Sequence, residues 1–293
     1  MRSYNINQVD DSLKFSELWR LQTPINYSTK KEDIMNYEGK TVLVTGGAKG
    51  IGKGVCNVFT SYGANIVVAD FDLDGAEIVA KEINEKGGRA FAVKIDVANK
   101  SSVEEAVSSA VKQFGSVEML VNAAGIVVSE KLENLTEEDW DRIMDVDLKG
   151  TFLVGQAVSK EMKKHNYGKI VFIASAASKD AEYANGVYCA AKAGVDMLTH
   201  VFAMELAEYN INVNSVNPSY VDTDLMESCF QERGPLEGMT PDEYRKQLLS
   251  TVPLNRMAST TEIGELCAML CSDKIGFLDG ENVLIAGAKV MRL

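Results

Sequence analysis

The feature that most constrains this chain is a β-branched run, Thr41-Val42-Leu43-Val44-Thr45, that breaks directly into glycines and then into a helix-like stretch from about residue 50 to residue 62. A strand that feeds a helix through so tight a turn finds its next partner in parallel, because the crossover helix carries the chain back over the sheet. The unit then repeats. Strand-like runs follow at 65–70, 89–95, 118–121, 169–173, 211–216 and 282–285. Helical stretches lie near 74–86 and 101–114, in a long one ending near 165, and at 186–209. This alternation predicts right-handed β-α-β units and a seven-stranded parallel sheet with helices on both faces. From residue 40 onward there is no break in composition, so one doubly wound α/β domain is expected, not two.

Two stretches stand outside the rhythm. Residues 1–38 are polar and mixed in charge, and read as an N-terminal extension to a domain spanning 39–293. Within it Leu13 and Leu21 share a helical spacing, with Phe15, Leu18 and Trp19 on a neighbouring face, as in a short amphipathic helix. The second is an insertion at about 222–260. There Thr240-Pro241-Asp242-Glu243 combines an N-cap, a proline at the first helical position and acidic residues in the first turn. An insertion just past a strand's C-terminal end is where an α/β enzyme places a substrate lid; an oligomer contact is the other reading.

Composition enters by exclusion. With a net charge of −12, a basic face for a nucleic-acid backbone is not expected. His165 and His200 are too few for a His-based triad or a multi-His metal site, so no metal is expected. Cys56, Cys189, Cys229, Cys267 and Cys271 are odd in number and scattered, as reduced thiols in a cytoplasmic protein are. Cys267 and Cys271 stand one turn apart, on the buried face of a helix. No signal-like apolar segment opens the chain, and no uncharged apolar stretch reaches the ~18 residues of a membrane span. A cytoplasmic location without a membrane partner is expected.

The glycines after the first strand carry the first functional signal. In Thr45-Gly46-Gly47-Ala48-Lys49-Gly50-Ile51-Gly52, Gly46 permits a tight turn, Gly50 lets backbone approach a pyrophosphate, and Gly52 lets helix and strand pack closely. The helix N-terminus adds N–H groups and positive dipole. Asp70 ends the second strand, where a carboxylate can accept from the adenosine ribose hydroxyls and repel a 2′-phosphate. Asp72 and Asp74 add negative field, and Lys49 is the one contrary charge. Three carboxylates against one lysine select NAD(H) and a Rossmann-type domain.

With these residues in place the chain resembles the short-chain dehydrogenase/reductases over about residues 38–287. The glycine loop has that family's TGxxxGxG form. Asp96-Val97 matches the pair that contacts adenine, and Asn122-Ala123-Ala124-Gly125 matches the NNAG element with Ala123 in place of an Asn. Ser175, Tyr188 and Lys192 match the catalytic Ser and the Tyr-x-x-x-Lys pair. Pro218-Ser219 stands where Pro-Gly is usual, followed by Val221 and Thr223. The resemblance implies cofactor contacts from these segments, including Ile51, Phe71, Tyr188 and Lys192, the last on the nicotinamide ribose. It also implies a homo-oligomer, commonly a tetramer, built on the helices at 137–165 and 186–209. At the fourth catalytic position the family's Asn is Asp147 here. Asp keeps an acceptor oxygen and loses the donor, and is expected to serve a proton relay through a water near Lys192.

The chemistry follows from the residue types. A free phenol titrates near 10, so Tyr188 needs help to act as acid or base at neutral pH. Lys192, one helical turn on, brings an ammonium that favours the phenolate. Ser175 can donate to the substrate oxygen. Substrate contacts are expected from Ser175, Lys179, Asn185, Tyr188 and Tyr220, within a wider set spanning 175–180, Glu182, Tyr183 and the insertion. The hydrogen-bonding groups Ser178, Lys179, Asp180 and Asn185 suit a polyhydroxylated substrate better than a steroid or acyl chain. The loop after Ser175 and the long insertion resemble the polyol and sugar-alcohol branch. The small-molecule substrate is then a polyol, ketose or sugar phosphate, with Lys179 or Arg256 as candidate phosphate ligands. Alternatives are the same chemistry on a hydroxysteroid, a diol or a 3-oxoacyl thioester, and a non-catalytic NAD-binding scaffold.

Overall fold

A computed structural model describes residues 35–289. Seven parallel strands, β1 (Thr41–Thr45), β2 (Asn65–Asp70), β3 (Arg89–Lys94), β4 (Met119–Asn122), β5 (Gly168–Ile173), β6 (Ile211–Pro218) and β7 (Asn282–Ile285), form one sheet in the order β3-β2-β1-β4-β5-β6-β7. The doubly wound seven-stranded sheet is the one expected, with strand ends shifted by at most two residues. The central strands are buried along their whole length, so they read as unbroken Val/Ile/Leu runs.

Helices cover both faces. Helices α1 (Gly50–Ser61) and α2 (Leu73–Glu85) contribute to one apolar core, with Val55, Phe59, Val79 and Ile83 packed on Val42, Val44, Ile66 and Val68. Helix α9 (Thr260–Leu270) joins that core through Ile263 and Cys267. It comes close to α1 because a Cβ at Gly54 would run into Thr260 (2.5 Å) and one at Gly264 into Val58 (2.8 Å). On the opposite face α3 (Lys100–Phe114), α5 (Gly150–Lys163) and α6 (Gly186–Leu206) bury Val103, Val107, Val154, Val158 and Val195 against Leu43, Leu120 and Phe172. All five cysteines are free, and Cys267 and Cys271 are buried.

The long helix expected to end near 165 is three segments. Helix α4 (Glu137–Ile143) passes into a π-helical turn, Met144–Lys149, and then into α5. The insertion also holds more than the capped helix foreseen at Thr240: α7 (Asp224–Leu236) precedes α8 (Pro241–Ser250), whose Thr240–Glu243 capping box and leading proline are both present. Gly234-Pro235 lies in the last turn of α7.

The folded body takes in residues N-terminal to the boundary expected at 39. Tyr37 is buried, stacks on Phe59 with ring centres 5.4 Å apart, and donates its hydroxyl to the Ala268 carbonyl. The amphipathic stretch at 13–21 lies outside the described residues. Among those described, no helix is long and apolar enough to cross a membrane.

Candidate active site

Strand order reverses between β1 and β4, and the crevice outside their C-terminal ends is where an open α/β sheet admits a ligand. The glycine loop forms one lip. Gly46 has φ +65°, and a Cβ there would stand 3.0 Å from the backbone of Ala123 and Ala124. A Cβ at Gly52 would collide with the Gly46 carbonyl. Helix α1 starts at Gly50 without a side-chain cap from Lys49 and without an acid in its first turn. By contrast α2, α3, α4, α7, α8 and α9 are capped by Asp72, Asn99, Thr136, Thr223, Thr240 and Ser259. The first N–H groups of α1 are therefore left for an anion such as a pyrophosphate.

Asp70 holds this lip in shape. Its carboxylate accepts from the Ala48 and Asp72 N–H groups, each at 2.9 Å. Phe71 is 67% exposed beside it. Asp72 is engaged in capping α2. Asp96 accepts from the Ala98 N–H at 3.0 Å, and Val97 is buried against Gly150. A buried chain ties the strand ends together. Thr45 donates to Asn122 Oδ1 (2.7 Å), Asn122 Nδ2 donates to Thr151 Oγ1 (3.0 Å), and Thr151 donates to the Asp147 carbonyl (2.7 Å). Through it the β1–β4 junction is joined to the π-helical turn. π-Turns cluster at functional sites because the wider turn re-aims a side chain.

Asp147 sits in that turn, fully buried, with Oδ1 2.9 Å from Lys192 Nζ and Oδ2 accepting from the Ile126 N–H at 3.2 Å. Where the sequence predicts a relay through a water near Lys192, Asp147 itself stands in direct ion-pair contact with the lysine. An Asn-to-Asp change adds a charge, and a buried charge draws its nearest cation into contact. Lys192 also donates to the Ile173 carbonyl at 3.1 Å and lies 5.4 Å from the centre of the Tyr188 ring. Burial works against the ammonium, but the Asp147 charge and the Tyr188 oxygen beside it hold the Lys192 pKa above its usual range.

The consequence for Tyr188 also departs from expectation. Burial pushes its phenol up to about 12; Lys192 pulls it down, while the Asp147 charge pushes it up again. Burial thus outweighs the pull of Lys192, and the Asp147 charge offsets part of that pull. Ser175, buried just after β5, lies beside Tyr188, and its hydroxyl works to lower the phenol pKa. Its Oγ accepts from the Ala177 N–H at 3.1 Å, and its carbonyl accepts from Asn217 Nδ2 at 3.2 Å.

These groups line one cleft that opens to solvent. Its wall includes Ile51, Ala123, Gly125, Asp147, Ser175, Asn185, Tyr188, Lys192, Pro218, Ser219, Tyr220, Val221 and Thr223, all expected from the sequence. Thr223 caps α7 and reaches the glycine loop: a Cβ at Gly50 would lie 3.5 Å from its methyl. Leu225, Met226, Cys229 and Arg233 of α7 close the far side.

Several residues expected at the substrate stand off the cleft wall. Lys179 is exposed and off the cleft wall. Arg256 is held by Glu262 in two hydrogen bonds of 2.8 and 2.7 Å, outside the cleft. Ser178 donates to Asp196 at 2.6 Å, and Asp180 faces Lys289 at 3.6 Å. Of the four polar groups cited for a polyhydroxylated substrate, only Asn185 lines the cleft. Each of the others has a partner or a solvent path that one-dimensional spacing does not reveal.

A family model described as short chain dehydrogenase matches residues 40–234. The chain belongs to that family. It is an oxidoreductase. It is 35% identical over 257 residues to an NAD-dependent glycerol dehydrogenase of Listeria innocua serovar 6a, covering 88% of this chain and 96% of the relative. It is 33% identical to a 3-oxoacyl-(acyl-carrier-protein) reductase of Thermotoga maritima, covering 88% of this chain and all of that one (100%). Among solved structures it superposes on NAD+-bound xylitol dehydrogenase with a TM-score of 0.84 at 29% identity, covering 86% of this chain and 99% of that one.

Within this short-chain dehydrogenase the residue that sequence reasoning missed is Arg233. Its guanidinium is buried, with Nη1 2.9 Å from Glu182 Oε2 and Nη2 donating to the Tyr183 carbonyl at 3.1 Å. Asn185 Nδ2 donates to the same Glu182 oxygen at 3.0 Å. An arginine in a helical stretch of mixed polarity carries no motif; only its burial singles it out.

Proposed function

We propose that this chain is an NAD(H)-dependent oxidoreductase that moves hydride between nicotinamide and a secondary alcohol or its ketone, with a polyol or a ketose, free or phosphorylated, as substrate. The observation that carries the reading is the convergence of Ser175, Tyr188 and Lys192 on one wall of a cleft whose other lip is the uncapped glycine loop. The relatives named for glycerol and xylitol support the alcohol class.

The residues present suit the cofactor. Gly46, Lys49, Gly50, Ile51 and Gly52 would hold the pyrophosphate at the bare N–H groups of α1. Asp70 and Phe71 would take the adenosine ribose, where the carboxylate disfavours a 2′-phosphate. Asp96 and Val97 would lie at the adenine. Asn122, Ala123, Ala124, Gly125, Pro218, Ser219, Val221 and Thr223 would lie along the rest, with Lys192 on the nicotinamide ribose. When bound, the nicotinamide supplies the hydride acceptor or donor, and in its oxidised form a positive charge beside the phenol.

The chain's own side chains then handle the proton. Tyr188 takes it from the alcohol hydroxyl, or returns it to the ketone oxygen. Ser175 donates to that oxygen and stabilises its negative charge. Lys192 supports the phenolate, and Asp147 keeps Lys192 protonated. A panel of polyols, ketoses and their phosphates with NAD(H) and NADP(H), followed by the absorbance of the reduced nicotinamide, tests the reading. Turnover of polyols with NAD(H) is expected; turnover only of apolar ketones, or a preference for NADP(H), overturns it.

A 3-oxoacyl thioester is the second reading, favoured by the likeness to the Thermotoga maritima reductase. Assembly as a homo-oligomer, a tetramer by resemblance, is supported by the exposed Phe152, Met197, Val201 and Met204 on α5 and α6.

A further inference from the structure

The ionisable side chains on the cleft wall, tyrosines and the cysteine aside, are four: Asp147, Lys192, Glu182 and Arg233. They form two closed pairs, Lys192–Asp147 at 2.9 Å and Arg233–Glu182 at 2.9 Å. Lys289, just outside the wall, faces Asp180 at 3.6 Å. Among the described residues the substrate end of the cleft thus holds no unmatched cation for a phosphate or a carboxylate. Placing a dianion there would leave a charge in the cleft without a counter-ion, which is strongly unfavourable.

Three buried side-chain atoms on the cleft wall have no hydrogen-bond partner, and one of them, Asp147 Oδ1, is ion-paired with Lys192 at 2.9 Å. The other two are Arg233 Nε and Asn185 Oδ1. They belong to residues that flank one Glu182 oxygen, which accepts from Arg233 Nη1 at 2.9 Å and from Asn185 Nδ2 at 3.0 Å. One is a donor and the other an acceptor. Leaving a buried polar atom unsatisfied is costly, so a group that served both would stabilise the pair. A hydroxyl is the smallest group that does so, accepting from Nε–H and donating to Oδ1.

We infer that Arg233 and Asn185, held by Glu182, recognise a hydroxyl of an uncharged polyol or ketose at a carbon away from the one that reacts. This rests on the alcohol reading above and narrows it to unphosphorylated substrates. Tyr188 and Ser175 bind the reacting oxygen; the Glu182 cluster reads a second one. Arg233 lies on α7 and Glu182 in the loop before α6, so the contact also ties the lid to the wall it covers. An analogue without the second hydroxyl leaves both atoms unpaired, a large penalty in discrimination.

The test compares kcat/KM for glycerol, xylitol and galactitol with kcat/KM for 2-propanol and for glycerol 3-phosphate, using NAD+ throughout. The wild-type enzyme is expected to prefer its best polyol over 2-propanol by at least about 100-fold, and glycerol over glycerol 3-phosphate. In Asn185→Leu and in Arg233→Lys that ratio to 2-propanol should fall by about 10-fold or more. A merely structural role would lower both substrates together and leave the ratio unchanged. Should Arg233→Lys not fold, Asn185→Leu gives the same readout. A polyol preference that survives the folded variants, or a preference for glycerol 3-phosphate, overturns this inference and leaves the alcohol reading standing. A wild-type enzyme with no preference for any polyol overturns that reading, and this inference with it.

Discussion

The two lips of the cleft are built on different principles. The glycine-loop lip is backbone: Gly46 and Gly52 let main chain touch main chain, and the uncapped start of α1 offers N–H groups. Its side chains, Asp70 and Thr45, mostly hold that backbone in place. The other lip is side chains in matched charge: Lys192 with Asp147, Arg233 with Glu182. A backbone site binds what every member of a fold must bind. A side-chain site can change partner by single substitutions, and here Asp147 pairs with Lys192. The difference teaches that one crevice can join a lip set by backbone geometry to a lip set by paired side-chain charges, and under the proposed function these would serve cofactor and substrate separately.

The largest expected effect attacks the junction of the two lips. Tyr188→Phe removes the proton-handling hydroxyl and should lower kcat by about 10³-fold or more, with NADH affinity in a fluorescence titration changed little. Loss of NADH binding as well would show that the two lips are not separable. Next comes Asp70→Asn, which keeps an acceptor for the Ala48 N–H and removes the charge. The kcat/KM preference for NAD+ over NADP+ should drop by about tenfold; an unchanged ratio would move cofactor selection elsewhere in the loop.

A smaller effect is expected at Asp147. Asp147→Asn removes the charge that raises the Tyr188 phenol, whose pKa burial has pushed up to about 12. In alcohol oxidation the phenolate is the active form, so rate rises with pH through this group. A lower pKa moves the rising limb of the kcat profile toward lower pH, with kcat itself kept within about tenfold. A limb that stays put would mean that the pair with Lys192 does not tune the tyrosine. A loss as large as that in Tyr188→Phe would make Asp147 indispensable in its own right.

The smallest effect lies away from both lips. Ser259 and Glu262 form a capping box at the start of α9, which packs on α1 behind the glycine loop. Ser259→Ala should destabilise the protein by about 1 kcal/mol in urea unfolding, with kcat and KM unchanged. Arg256, followed by the Ser259 N–H, holds the Glu262 carboxyl down at about 2. A carboxylate whose pKa is lowered on folding contributes stability above its ordinary range and loses it as pH falls toward 2. The difference between wild type and the Glu262→Gln variant should therefore narrow in acid.

The strands were legible because buried parallel strands are written as contiguous apolar runs, and all seven appear where those runs lie. Thr240-Pro241 was legible for the same reason: a cap is a local pattern. Helix α7 was not, since Asp224–Leu236 has no clear apolar stripe and ends on Gly234-Pro235, which reads as a turn. The π-turn at Met144–Lys149 was hidden too. A single-residue shift of helical phase leaves composition unchanged, and only the bond pattern records it.

What the sequence determined by itself is whatever depends on neighbours along the chain. That covers the sheet, the glycine turn into α1, Asp70 at the end of β2, and the four-residue offset of Tyr188 and Lys192 on one helix. What tertiary structure decided is charge state and contact across elements. It set Asp147 directly against Lys192, drew Ser178 and Asp180 to other partners, and buried Arg233 against Glu182. The physical reason is that a local motif is set by backbone geometry over a few residues. Whether a polar side chain is free to act depends on desolvation and on which group, distant in sequence, reaches it first.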